Sequence, residues 1–134
     1  MREPSPRRIA ACGCGQLEVA VSGEPRRVYA CSCAECQRAT GSAFAYRAVF
    51  PEEAVAVLKG EGRTWRRGSD AGRWVEQTFC PDCGALLLMR GEGLAGAVAV
   101  SVGSFVDPDF PAPEAIHRPA RRHRWLALGV PEAG

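Results

Sequence analysis

Seven cysteines constrain this chain more than any other feature. Cys12, Cys14, Cys31, Cys33, Cys36, Cys80 and Cys83 fall into three clusters, and none stands alone. The clusters read Cys-Gly-Cys-Gly, Cys-Ser-Cys-Ala-Glu-Cys and Cys-Pro-Asp-Cys-Gly. A disulfide scaffold suits them poorly. An odd count leaves one thiol over, and a bridge between cysteines two apart is strained. The opening MREPSPRRIAACGCG carries charge but no apolar stretch of a secretory signal. A cytoplasmic location is therefore expected, where thiols stay reduced. A thioredoxin-like pair at Cys80 and Cys83 would need a helix after it. Residues 85–89 are instead a short apolar run closed by Arg90-Gly91, which reads as a buried strand.

Metal ligation explains the spacings. Tetrahedral zinc takes thiolates at about 2.3 Å, so two ligands from one segment must lie close together. Cys-x-x-Cys achieves this in a tight turn, and Gly84 stands where such a turn often needs positive φ. Cys-x-Cys achieves it in extended backbone, because residues i and i+2 face one side. A closed structural site uses four protein ligands, and a catalytic site uses three and an open position. Seven cysteines divide into one of each, although chemistry alone partitions them only loosely. The economical division keeps Cys31, Cys33 and Cys36 together as the open, catalytic zinc site. Cys12, Cys14, Cys80 and Cys83 then form the structural zinc site, closing a loop of more than half the chain.

The remainder reads as mainly β. Residues 17–21 alternate apolar and polar, as a half-buried strand does. Further strands are expected at 28–30, 44–50, 55–58, 64–67, 73–79, 85–89 and 97–102, with short ones near Ile116 and at 125–128. Residues 68–72 are the clearest hairpin loop. Residues 34–39 suit one helical turn ended by Gly41. Fifteen glycines and ten prolines argue against a helical bundle. At 134 residues, one domain spanning 1–134 is expected, with a core of about 9–128. No apolar run reaches the ~18 residues of a membrane helix. Seventeen basic and fifteen acidic residues leave a formal +2, which is no footprint for nucleic acid. Seven thiolates and two zinc ions would offset even that. Residues 117–125 are the one basic run, weighed as a nucleic-acid patch or an anion-binding edge against a solvated loop before a final buried Trp, which the near-zero net charge favours. Trp65, Trp74 and Trp125 are expected on the core or a sheet face.

The cysteine motifs carry a family resemblance. Cys12-Gly13-Cys14-Gly15 comes first. Cys31-Ser32-Cys33-Ala34-Glu35-Cys36-Gln37-Arg38 follows, with Thr40-Gly41-Ser42 and Phe44 behind it. Phe79-Cys80-x-x-Cys83-Gly84 is third, and Val102-Gly103-Ser104-Phe105 precedes Asp107-Pro108, with His117 and Trp125 late in the chain. Together these resemble the glutathione-dependent formaldehyde-activating enzyme family, which includes centromere protein V. The resemblance covers residues 9–128. It implies a β-tent fold of antiparallel sheets around a structural zinc, and it implies the same division of the cysteines. It also implies carbon–sulfur lyase or synthase activity, condensing glutathione with formaldehyde or acting on a related thiol adduct.

Glutathione carries two carboxylates, so a basic contact is expected. Arg38 and Arg47 are the candidates, since arginine binds carboxylates bidentately. Thr40 and Ser42 are candidate hydrogen-bond donors. Glu35 is weighed as a general base against a solvated carboxylate. His117 and His123 are weighed as a fourth zinc ligand against ordinary strand or surface histidines. The alternatives to an enzyme are a non-catalytic zinc module for a protein or nucleic-acid partner, and a thiol or redox sensor.

Overall fold

The computed structural model describes residues 7–69 and 72–133. Its elements in chain order are β1 (Arg7–Ala11), β2 (Glu18–Ser22), β3 (Arg27–Cys31), α1 (Ala34–Thr40), β4 (Ala45–Pro51), β5 (Val55–Lys59), β6 (Arg63–Gly68), β7 (Trp74–Phe79), β8 (Leu86–Gly91), β9 (Ala97–Ser101), β10 (Ala115–His117) and β11 (Glu132–Ala133). The chain is mainly β, as the sequence leads one to expect. A three-stranded sheet runs β1-β2-β5, and an eight-stranded sheet runs β11-β10-β3-β4-β9-β8-β7-β6. The larger sheet is antiparallel except where β10 pairs in parallel with β3 and with β11.

Side-chain alternation builds the main core between the two sheets. Val19 and Val21 of β2 point inward with Ala10 of β1. They meet Ala48 and Phe50 of β4, Val98 and Val100 of β9, and Leu88 of β8. Strands β4 and β9 lie mid-sheet and are buried on both faces, which is why their sequences read as nearly unbroken apolar runs. On the sheet's other face Tyr29 of β3 packs with Val49 of β4 and Ala97 and Ala99 of β9, with Cys31 and Met89 beside them. Tyr29, Cys31 and Met89 of this face reach the wall of the cavity described below.

Several expectations change. Strand β1 carries no strand signal in sequence, because Arg-Arg-Ile-Ala-Ala has no clean alternation; it is an edge strand with Ile9 partly exposed and only Ala10 fully buried. Residues 125–128 do not form a strand. The Leu126 N–H closes a turn on the His123 carbonyl at 3.0 Å, Leu126 is buried and Trp125 is 74% exposed. Trp65 is also largely exposed, on edge strand β6. Strands β6 and β7 pair as the hairpin reading requires, from Arg63 opposite Phe79 to Gly68 opposite Trp74. Asp70 and Ala71 of that loop lie outside the described residues, as does the start of the N-terminal segment read for a signal.

Candidate active site

The four-cysteine cluster joins the turn after β1 to the turn after β7. The Cys12 N–H bonds the Leu17 carbonyl at 3.0 Å, and the Gly15 N–H bonds the Cys12 carbonyl at 3.2 Å, which folds the first pair into a tight loop. The second pair is closed by the Gly84 N–H on the Cys80 carbonyl at 2.8 Å and the Cys80 N–H on the Ala85 carbonyl at 2.9 Å. Gly84 takes φ of +79°, the positive-φ turn its position suggested. The four sulfurs all lie within 4.8 Å of one another. Cys12 Sγ is 3.6 Å from Cys14 Sγ, which is 3.7 Å from Cys80 Sγ. A tetrahedron of sulfurs with ~2.3 Å metal bonds has edges of about 3.8 Å, so this donor set fits zinc in size and in kind.

Neighbouring groups already divide these thiols. Burial would raise the Cys80 thiol, but the Gln16 amide and the N–H groups of Cys83 and Asp82 bring it down to about 6. Gln16 Nε2 donates to Cys80 Sγ at 3.2 Å and to the Glu61 carbonyl at 2.8 Å. The Gln16 N–H would lower Cys14, yet burial and the surrounding sulfurs push it up to about 12. Cys83 falls below its ordinary value, led by the Ala85 and Cys14 N–H groups.

The second cluster is Cys31, Cys33 and Cys36, again with all sulfurs within 4.8 Å. Cys31 ends β3, and Cys33 caps α1, its sulfur accepting the Cys36 N–H at 3.3 Å. The helix is seven residues long and stops at Gly41, whose φ of 63° and N–H to the Gln37 carbonyl at 2.8 Å close its end. One compact turn thus gathers three thiols on one side. Side-chain hydrogen bonds from Cys31 and Cys33 outweigh burial and hold the Cys36 thiol well down, to about 2, aided by the Arg47 charge. Cys31 moves up, chiefly through its hydrogen bonds to Cys33 and Cys36.

These three cysteines line a cavity of about 470 Å³ together with Tyr29, Arg47, Arg67, Met89, His117 and others. The four-cysteine cluster contributes nothing to it. One cluster therefore faces a ligand-sized space, and the other is a clip between loops. His117 reaches the cavity because β10 lies parallel to β3, with His117 opposite Cys31. Its ring meets Tyr29 edge-on at 5.3 Å. Burial, then Arg27 and Arg118, lower its pKa from the ordinary 6.5, so the ring is neutral at pH 7.

The chain matches the model of the family described as glutathione-dependent formaldehyde-activating enzyme over residues 7–122. It belongs to that family. A Rhodobacter sphaeroides protein solved in a structural-genomics programme is similar in fold, with a TM-score of 0.60 and 21% identity, covering 75% of this chain and 91% of that one. No curated protein matches. Among the described residues, no helix is long and apolar enough to cross a membrane.

The other candidates named from sequence are placed as follows. Arg47 lines the cavity but is 2% exposed, and its Nη1 donates to Cys36 Sγ at 3.2 Å. Arg38 lies outside the cavity, its side chain 73% exposed and paired with Glu35 at 2.9 Å. Glu35 does line the cavity, with Arg67 Nε also 4.0 Å away. Thr40 bonds the Cys36 carbonyl at 2.9 Å, and Ser42 donates its N–H to Thr40. Those two residues border a different hollow, beside Ser101 and Ser104. His123 sits against Gln37 at 3.1 Å, on the outer side of α1. The sequence reading missed Tyr29, Arg67 and Met89 on the cavity wall, and it placed Arg118, which also lines it, only in the basic run. Tyr29 had a usable signal, since it lies two residues before Cys31 and shares its strand face.

Proposed function

We propose that this chain makes or breaks a carbon–sulfur bond, joining a thiol such as glutathione to formaldehyde or another aldehyde. The observation that carries the reading is the three-thiol cluster facing a cavity while the four-thiol cluster does not. Family membership supports the choice of thiol and aldehyde. On this reading Cys12, Cys14, Cys80 and Cys83 hold a structural zinc, and Cys31, Cys33 and Cys36 hold a catalytic one. Zinc at the triple supplies an open coordination position that makes a thiol acidic near neutral pH.

The protein's own groups do the rest. The neutral His117 ring accepts the proton that leaves the substrate sulfur. The sulfur bonds to the carbonyl carbon, the C=O pair moves to oxygen, and that oxygen takes up a proton. The product is a hydroxymethyl thioether, and the reverse sequence breaks the bond. Arg47 lies buried against Cys36, where its charge balances the excess negative charge of three thiolates. Buried and committed to Cys36, it suits that role better than clamping a substrate carboxylate.

The reaction is tested by exchange NMR of the zinc-loaded protein with glutathione and formaldehyde. Wild type is expected to accelerate adduct formation over the spontaneous rate. Cys33→Ser is expected to fold and lose the acceleration. Full acceleration by that variant would sink the proposal.

A further inference from the structure

Gln37 grips the cysteine triple without contributing a sulfur to it. Its backbone N–H donates to the Cys33 carbonyl at 3.0 Å, and its side-chain Nε2 donates to the Ser32 carbonyl at 2.7 Å. One residue thus holds the carbonyls on both sides of the Cys33 α-carbon. The first bond belongs to the ladder of α1; the second is extra. Ser32 is fully buried between Cys31 and Cys33, and its N–H donates to the His117 carbonyl at 3.0 Å. Its hydroxyl is buried without a hydrogen-bond partner, so the backbone, not the side chain, fixes the passage between the two thiols.

The same amide reaches a segment 84 residues away. Nε2 also donates to the Arg121 carbonyl at 3.0 Å, and Oε1 lies 3.1 Å from His123 Nε2. The two carbonyls take both hydrogens of the amide, which sets its orientation and leaves Oε1 as an acceptor. His123 Nε2 must then carry the hydrogen between them. Residues 121–123 are anchored in turn. The Leu126 N–H bonds the His123 carbonyl at 3.0 Å, and Leu126 packs with Ile116 and with Ala30, the residue before Cys31.

We propose that Gln37 is a positioning residue for the cysteine triple: its amide ties the Ser32–Cys33 peptide to residues 121–123 and so sets the spacing of the three sulfurs for a metal. The inference rests on the reading that the triple holds zinc. Groups that orient metal ligands from behind typically change affinity about 10–100-fold when removed. The four-cysteine cluster has its own supports, the Gln16 amide and the turn closed by Gly84, and shares neither with Gln37. Losing the Gln37 amide therefore acts on one metal and spares the other.

The test compares zinc-loaded wild type, Gln37→Met and Gln37→Glu. Methionine keeps the reach of the side chain and removes all its hydrogen bonds. Glutamate keeps an acceptor for His123 but sets a carboxylate against two carbonyl oxygens. Zinc release to a chromophoric chelator measures retention at each site. Cobalt(II) added to the emptied triple then reports its geometry through the thiolate charge-transfer and d–d bands. Both variants are expected to release the zinc of the triple about tenfold faster, to shift the cobalt bands, and to keep the four-cysteine zinc as wild type does. Wild-type release and spectra in Gln37→Met overturn the proposal. Wild-type retention in Gln37→Glu does so too, because the two donors would then be dispensable. Loosening of both zincs together makes Gln37 a support of the whole fold and also overturns it. A wild type that binds neither zinc nor cobalt at the triple removes this inference along with the zinc reading. Selective loss at the triple in both variants, with no glutathione–formaldehyde adduct accelerated by wild type, keeps the role of Gln37 and removes the proposed reaction.

Discussion

Arg47 Nη1 donates to Cys36 Sγ at 3.2 Å, from a side chain that is 2% exposed. A buried cation and a buried sulfur anion are each costly alone and tolerable together. The second guanidinium nitrogen, Nη2, is buried without a hydrogen-bond partner, so the charge itself must justify the placement. Arg47→Met is therefore expected to leave Cys36 uncompensated. Loss of about 3 kcal/mol in stability and weaker metal retention at the triple should follow, read by denaturant unfolding and by chelator competition. Wild-type values in both would mean that Arg47 does not support the cluster.

His117 gives a pH dependence with a definite sign. Its folded pKa lies below the ordinary 6.5, owing to burial and then to Arg27 and Arg118. Above 6.5 the ring is neutral in both folded and unfolded chains and contributes nothing. As pH falls through 6.5, the unfolded chain takes up the proton first, so stability declines until the folded pKa is passed. NMR titration of the ring should give a midpoint under 6.5, and Arg118→Asn should move it upward. A midpoint above 6.5 would contradict the arrangement of cations around this ring.

Gly60 supports the four-cysteine cluster from a distance. It has φ of +79°, and a Cβ there would stand 1.8 Å from the Gln16 carbonyl oxygen. Gln16 in turn bonds Cys80 Sγ. Gly60→Ala is expected to cost about 2 kcal/mol or more through backbone strain and to loosen the structural metal. Thermal melts with metal analysis check this, and an unchanged melting temperature would refute it.

How much of this was legible depends on how local each feature is. Cys31, Cys33 and Cys36 meet across the short passage from the end of β3 into the first turn of α1, and Cys80 and Cys83 within one turn, so spacing alone exposed the clusters. Gly41 and Gly84 announced positive-φ positions in the same way. The cavity wall was readable only in part: Glu35, Arg47 and His117 were candidates from sequence, whereas Tyr29, Arg67 and Met89 were not. His117 and Arg118 reach it only because a three-residue strand pairs in parallel with β3, a long-range contact with no local signature. Arg38 adjoins the triple in sequence, yet the helical turn carries it outward to Glu35. Trp125 misled for a related reason: an aromatic beside Leu suggested a buried strand, but the turn at His123 buries Leu126 and leaves the indole in solvent.

The central claim is that two metal centres of different character share this chain. Elemental analysis of zinc in wild type and in Cys33→Ser, before and after a mild chelator, tests it most directly. The account predicts about two zincs in wild type, one of which the chelator removes, and about one resistant zinc in the variant. Equal zinc content in the two proteins, with equal resistance to the chelator, would contradict it.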